Sequence, residues 1–190
     1  MIFFETIKCD DFEIFNLAYH KKRISDTIGL NISLEEYIYP LSNELLKCKV
    51  TYNQNGILDI YYNTYTKKDI TSFQLVYDDT IEYNKKLVDR TNINKLLELK
   101  NQADEIIIVK DNLITDTSIA NIAIFLNNQW ITPKKPLLKG TMRAWLIDNN
   151  HLKLEDITID MLKSTTKIAT LNAMVGFNII NNFTIKGYIC

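Results

Sequence analysis

The sequence has no CxxC pair and only two histidines, His20 and His151, far apart in a chain of 190 residues. Its three cysteines, Cys9, Cys48 and Cys190, are odd in number and widely spaced. These absences argue against a zinc cluster and a disulfide framework, and for a reducing compartment. No block of basic residues matches a phosphate backbone: 22 Lys and Arg stand against 23 Asp and Glu, a net charge of −1, so nucleic acid is not an expected partner. No apolar stretch approaches the roughly 20 residues that span a bilayer, and the run in MIFFETIKCDD is too short for a signal peptide. Repeats and low-complexity segments are missing as well. A soluble cytoplasmic protein is expected, with no metal and no membrane partner.

What is present is ample apolar material, 46% of residues, enough for one ordinary domain or two small lobes sharing a core. FFETIKCDDFEIFNL reads as two strands joined at Cys9-Asp10-Asp11, and AYHKKRISDTIGL as a helix ending near Gly29. Ser33 and Glu36 have capping-box spacing, which predicts a helix bent or restarted at Pro40. KVTYNQNGILDIYYNTY predicts a hairpin turning at Asn55-Gly56 with positive φ at both. TSFQLVYDD is rich in β-formers, and the crossing between lobes falls between about Lys67 and Asp79, dividing the chain into a smaller lobe, 1–75, and a larger one, 76–190. In the larger lobe, NINKLLELKNQA has helical spacing, while Asp111-Asn112 and Asn127-Asn128 sit between apolar strands. EDITIDMLKS adds a helix and KIATLNAMVGFNII a closing strand. Hairpins interleaved with helices, without a strand-helix-strand rhythm, indicate an α+β fold.

Three features carry chemistry. In IEYNKKLVDR two adjacent lysines end a segment that otherwise reads as a strand, so at most one of Lys85 and Lys86 faces an interior pocket. A desolvated lysine loses charge and becomes nucleophilic, able to form a Schiff base with an aldehyde. Asp116, with Asn121 after it in LITDTSIANI, is an acid at the end of a buried strand, suited to a protonated heterocycle nitrogen. Gly140-Thr141 opens an amphipathic helix, where backbone N–H groups and the helix dipole suit a phosphate, although the further glycines of a nucleotide loop are missing. Taken singly, each has a plainer reading: surface lysines, a turn or cap, an ordinary helix start. Their order along one chain favours the chemical reading.

Several blocks in order resemble the class IV aminotransferases, the fold-type IV pyridoxal phosphate enzymes: FFETI at 3–7, YHKKR at 19–23, KLVDR at 86–90, DEIIIVKDNLITDTSIANI at 104–122, TPKKPLLKGTMR at 132–143 and LNAM at 171–174. They span nearly the whole chain and are most similar to the short aminodeoxychorismate lyase-like members. The resemblance implies a two-lobed fold with a shortened first lobe, since the chain starts at FFETI without the family's extra N-terminal strand and DRG turn. It implies pyridoxal 5′-phosphate as cofactor and Lys86, followed by Arg90, as the Schiff-base lysine, with Lys85 facing away. Arg23, in a His-x-x-Arg pattern with His20, corresponds to the arginine on the cofactor phosphate. Gly140, Thr141 and Met142 correspond to the helix start that adds phosphate contacts, and Asn172 and Ala173 to a later loop near the same group. Asp116 stands where most members have glutamate on the ring nitrogen, one methylene shorter, and Asn121 matches the asparagine that follows. Thr6 is a candidate hydroxyl toward the substrate.

The implied reaction is cleavage of 4-amino-4-deoxychorismate to 4-aminobenzoate and pyruvate, a step toward folate, by a homodimer acting on a small amino substrate. Two other readings stay open: transamination of a branched-chain or D-amino acid, and a catalytically silent family member acting as a binding or partner protein.

Overall fold

The computed structural model describes residues 1–188, so Cys190 lies outside the described residues. The chain divides into two units: one of Met1–Lys67 with Lys85–Asp89, the other of Lys68–Asn84 with the chain from Arg90 onward.

In the first unit, β1 (Phe3–Asp10) turns through Asp11 and Phe12 into a short β2 (Glu13–Ile14), and α1 (Leu17–Ile28) follows, closed by Gly29. β3 (Leu46–Asn53) and β4 (Gly56–Thr64) complete an antiparallel sheet of order β2-β1-β3-β4. Strand alternation sorts the two faces. Phe3, Ile7 and Cys9 of β1 meet Cys48, Val50 and Tyr52 of β3 and Ile24 of α1 in one buried cluster. Phe4, Thr6 and Lys8 point to the other face.

The helix expected after Ser33 does not form. Only Leu34–Glu36 makes a single 3-10 turn, and Ser33 makes no side-chain cap bond. Pro40 lacks an N–H and disfavours helical geometry at Tyr39, and the alternation in LKCKVTYN then commits Leu46 onward to a strand. The hairpin after β3 forms, but its turn is Gln54-Asn55, and Gly56 alone there has positive φ, 123°. The Lys85-Lys86 segment is also not a strand. A single bridge, Phe3 to Leu87, ties it to β1.

The second unit holds a nine-stranded mixed sheet. Its path runs β10 (Lys153–Glu155), β9 (Gln129–Pro133), β8 (Asn121–Leu126), β7 (Leu113–Thr117), β6 (Glu105–Lys110), β5 (Ser72–Tyr77), β13 (Thr184–Lys186). β11 (Ile168–Asn172) pairs with both β8 and β12 (Gly176–Ile180). The tight hairpins at Asp111-Asn112 and Asn127-Asn128 form as expected, with φ of 51° and 61° in the first and 50° and 59° in the second. Asn and Asp tolerate this left-handed region because their short side chains bond locally. Three helices accompany the sheet: α2 (Thr91–Glu98), α3 (Thr141–Asp148) and α4 (Ile159–Ser164). The main core joins Phe73, Ile107, Val109, Ile122, Ile124 and Leu162.

Candidate active site

Lys85 and Lys86 go to opposite faces of the first unit. The Lys86 carbonyl accepts the Phe4 N–H at 2.9 Å, and the Val88 N–H reaches the Ile2 carbonyl at 3.0 Å, so this stretch is pinned along β1 although it is not a strand. Lys85 turns toward α1, its Nζ donating to the Thr27 carbonyl at 3.0 Å. Lys86 turns the other way, its Nζ 4.7 Å from the centroid of the Phe4 ring. Lys49 approaches the same ring at 5.0 Å. Thr6 is the cross-strand partner of Lys49, and Tyr61 on β4 pairs with Lys49 from the far side. One face of the first unit thus gathers two amines, a hydroxyl and an aromatic ring.

Arg23 lies among a different group of side chains. Its Nε donates to Glu5 Oε1 at 2.9 Å while Nη2 bonds Oε2, a two-point fork. His20 places Nδ1 2.6 Å from the same Oε2, and the Tyr52 hydroxyl reaches Oε1 at 3.5 Å. Glu5 and His20 are both wholly buried. Burial alone pushes the Glu5 carboxyl up, but the Arg23 charge and the His20 bond outweigh it and hold the group at about 2. Burial holds His20 below its ordinary value despite the neighbouring carboxylate. A neutral ring facing an ionised acceptor carries its proton on Nδ1.

In the second unit, Asp116 on β7 pairs directly with Asn121 on β8 across a tight turn. Thr117 Oγ1 accepts the Ala120 N–H at 3.0 Å, and Arg90 Nη2 donates to the Ser118 carbonyl at 2.6 Å, which together fix the turn. The Asn121 amide donates from Nδ2 both to Asp116 Oδ1 at 2.6 Å and to the Leu138 carbonyl at 2.7 Å. The Leu138 N–H closes the ring on Asp116 Oδ2 at 2.9 Å. Asp116 is buried, and burial pushes its carboxyl up to about 6 against the lowering effects of the Leu138 N–H, Asn121 and the Arg143 charge. Arg143 is itself buried, donating from Nη2 to the Pro133 carbonyl at 2.6 Å.

This ring is built against the start of α3. Gly140 is the residue before its first turn and supplies no side-chain cap. A Cβ on Gly140 would lie 2.0 Å from Asn121 Oδ1, so any larger residue there must displace the amide. First-turn N–H groups next to a buried acid suit a ligand with an anionic end and a basic nitrogen. Thr141 is buried and Met142 half-buried in that turn. Asn172 follows Leu171, the β11 partner of Asn121, and its Oδ1 accepts the Met174 and Val175 N–H groups at 2.9 and 3.0 Å, shaping the turn that carries Ala173.

The tight fit at Gly140 makes a prediction. Gly140→Ala has an acceptable φ of −71°, so the damage comes from displacing the Asn121 amide and opening the ring around Asp116. A loss of about 1–3 kcal/mol in urea unfolding is expected. Adding Asn121→Ala should make the two effects less than additive, and strict additivity would place the clash elsewhere.

Residues 70–183 match the amino-transferase class IV family. The chain belongs to this family. It is 33% identical to an uncharacterized protein of Haemophilus influenzae over 91% of this chain and 97% of that one. Among solved structures it is similar to a Haemophilus somnus protein provisionally named 4-amino-4-deoxychorismate lyase, with 32% identity, TM-score 0.81, and coverage of 92% of this chain and 97% of that chain. A hypothetical aminotransferase of Mycobacterium tuberculosis, solved with PLP bound, shares the fold at TM-score 0.81 and 13% identity, over 98% of this chain and 81% of that one. The α+β fold expected from the sequence is therefore that of the fold-type IV PLP enzymes. No described helix is long and apolar enough to cross a membrane.

Sequence reasoning missed Glu5 and Lys49. The alternation in FFETIKCD and LKCKVTYN places Thr6 and Lys49 each on the outer face of its strand. Only the register, Thr6 opposite Lys49, brings them together.

Proposed function

We propose that this family member is a PLP-dependent lyase cleaving 4-amino-4-deoxychorismate to 4-aminobenzoate and pyruvate. The observation that carries the reading is the pair of amines at the Phe4 ring: Lys86 at 4.7 Å and Lys49 at 5.0 Å, with Thr6 opposite Lys49. It sets a cation for a substrate carboxylate close to the amine that would hold the cofactor. The 32% identity to the Haemophilus somnus protein of that provisional name supports the substrate.

By their chemistry, residues of each unit suit a part of the cofactor. Lys86 would hold its aldehyde carbon. Arg23, the first turn of α3 at Gly140, Thr141 and Met142, and the Asn172-Ala173 turn would hold its phosphate. Asp116, oriented by Asn121, would hold its ring nitrogen. When bound, PLP supplies an electron sink for the carbon that bears the substrate amine. The Lys86 amine would take the proton from that carbon and return a proton as the products form. Loss of the carbon–oxygen bond to the enolpyruvyl group then makes the ring aromatic, with no net redox change. Lys49 and Thr6 orient the substrate for these transfers. We further propose a cytoplasmic homodimer with a role in folate biosynthesis. The buried, free thiols of Cys9 and Cys48 are consistent with a reducing compartment.

The test is product analysis on 4-amino-4-deoxychorismate with PLP, following 4-aminobenzoate by fluorescence and pyruvate by a coupled dehydrogenase. A lyase yields the two in equal amounts. Keto acid formed from a branched-chain or D-amino acid, without 4-aminobenzoate, would make it a transaminase, and neither product would make it a silent binding protein. Lys49→Met should lower kcat/KM by about 10- to 150-fold, the equivalent of one charge-assisted bond of about 1.5–3 kcal/mol. Cofactor affinity should stay unchanged, and an unaltered kcat/KM would remove Lys49 from the site.

A further inference from the structure

Glu5 has no part in the reaction proposed for this site, yet it is wholly buried and meets three side chains from two elements: Arg23 and His20 on α1 and Tyr52 on β3. A buried carboxylate costs free energy unless it is paired and hydrogen-bonded, and the pairing here is unusually complete. The Glu5 contact takes one edge of Arg23. The Arg23 fork uses Nε and Nη2, one edge of the guanidinium plane, and Nη1 lies on the opposite edge of that plane. Glu5 sits at zero exposure while the Arg23 side chain keeps 13%, so the edge held by Glu5 is the inner one. An arginine side chain on a helix surface samples many rotamers, and holding one edge of the plane removes that freedom before any anion arrives.

We propose that Glu5 is a positioning residue for the cofactor phosphate: by gripping the inner edge of Arg23, with His20 bracing the same carboxylate oxygen, it aims the guanidinium at the phosphate. The inference rests on the assignment of Arg23 to the phosphate. Glu5 offsets the Arg23 charge, and His20, kept neutral by burial, does not restore it. The contribution to binding is therefore geometric more than a matter of net charge. An arginine released from Glu5 would still be cationic, but its recognition of a phosphate over an unphosphorylated aldehyde would weaken.

The experiment measures that discrimination. Cofactor-free protein is titrated with PLP and with pyridoxal, which lacks the phosphate, and the ratio of affinities is read from tryptophan fluorescence. Glu5→Gln should cut the ratio about tenfold, and Glu5→Asp, which keeps the charge and shortens the reach, should cut it less. The double variant Glu5→Gln, Arg23→Gln should fall no lower than Arg23→Gln alone. If Glu5→Gln does not fold, the inference stands or falls on Glu5→Asp. In the wild-type protein, the Arg23 Nε–H NMR signal should also shift with PLP and stay put with pyridoxal. A ratio unchanged in both Glu5 variants, or both ligands weakened equally, would make Glu5 a merely structural acid and overturn the inference. An unchanged ratio in Arg23→Gln would instead remove the phosphate from Arg23, and the inference with it.

Discussion

Lys86→Ala is expected to lose turnover by about 10²- to 10⁴-fold or more, because one amine both holds the cofactor and moves the proton. The fold should persist. Lys86 is half-buried, and what ties its segment to β1 is backbone: the Lys86 carbonyl accepting the Phe4 N–H and the Val88 N–H reaching the Ile2 carbonyl. Removing the side chain forfeits its contact with the Phe4 ring but leaves that backbone pairing in place. Lys85→Ala is the control. Its Nζ caps the Thr27 carbonyl near the end of α1, so its loss should cost up to about 1 kcal/mol of stability and leave turnover intact. Borohydride reduction of the PLP-loaded protein, followed by peptide mass spectrometry, checks the assignment directly. The phosphopyridoxyl group belongs on Lys86, and finding it on Lys85, or on no residue, would overturn the site.

Lys86 is singled out by the family resemblance and not by its local sequence, while neither marks Lys49 or Glu5, and the range of the forces involved explains what can be read. Local chemistry is legible. Asp111-Asn112 and Asn127-Asn128 turn where read, because the tolerance of Asn and Asp for positive φ is a property of those residues themselves. Gly140-Thr141 opens a helix as read, although the reason a larger residue at Gly140 would clash, the Asn121 amide against it, comes from a strand 14 residues earlier or more. Local cues also mislead when a stronger neighbour intervenes. The Ser33–Glu36 spacing signals a helix, but Pro40 and the alternating strand after it allow only one 3-10 turn. At the next hairpin the Asn-Gly pair marks the right place and the wrong geometry, since the turn falls one residue earlier and leaves Asn55 outside the positive-φ residues. Cross-strand register is another matter. Thr6 opposite Lys49 is decided by how β1 and β3 pair over their whole length, and the sequence of either strand alone is silent on it.

Asp116→Asn should slow turnover about 10²- to 10³-fold while leaving the fold in place, because an amide removes the negative charge that would hold the ring nitrogen protonated in the transition state. The charge at this position is costly without the cofactor. Burial raises the Asp116 carboxyl from 3.8 to about 6, so its contribution to stability is fully present below the unfolded value and is lost as pH rises through about 6. Between pH 4.5 and 7.5 that amounts to about 2 kcal/mol, taken over the part of the shift lying above pH 4.5. The wild-type, cofactor-free protein should lose that much relative to Asp116→Asn when urea unfolding is compared at the two pH values. His20, held below its ordinary value, shifts stability in the opposite sense over part of the same window. It does so in both proteins, and the comparison cancels it. A ¹³C signal from the Asp116 carboxyl titrating near pH 6 would report the same group directly. Asp116→Glu separates charge from shape. It keeps the carboxylate but adds a methylene inside the ring formed with Asn121 and Leu138, so it should cost about 1–3 kcal/mol of stability and still retain more activity than Asp116→Asn. In Asp116→Asn one of the donors from Asn121 and Leu138 meets an N–H₂ group, a cost of about 1–3 kcal/mol that the absence of a buried charge offsets near neutral pH. Activity and stability are thus expected to rank the two variants in opposite orders, which a residue serving only the β7–β8 turn would not produce. Full activity in Asp116→Asn, with PLP bound normally, would make Asp116 a turn residue and withdraw the ring nitrogen from this unit.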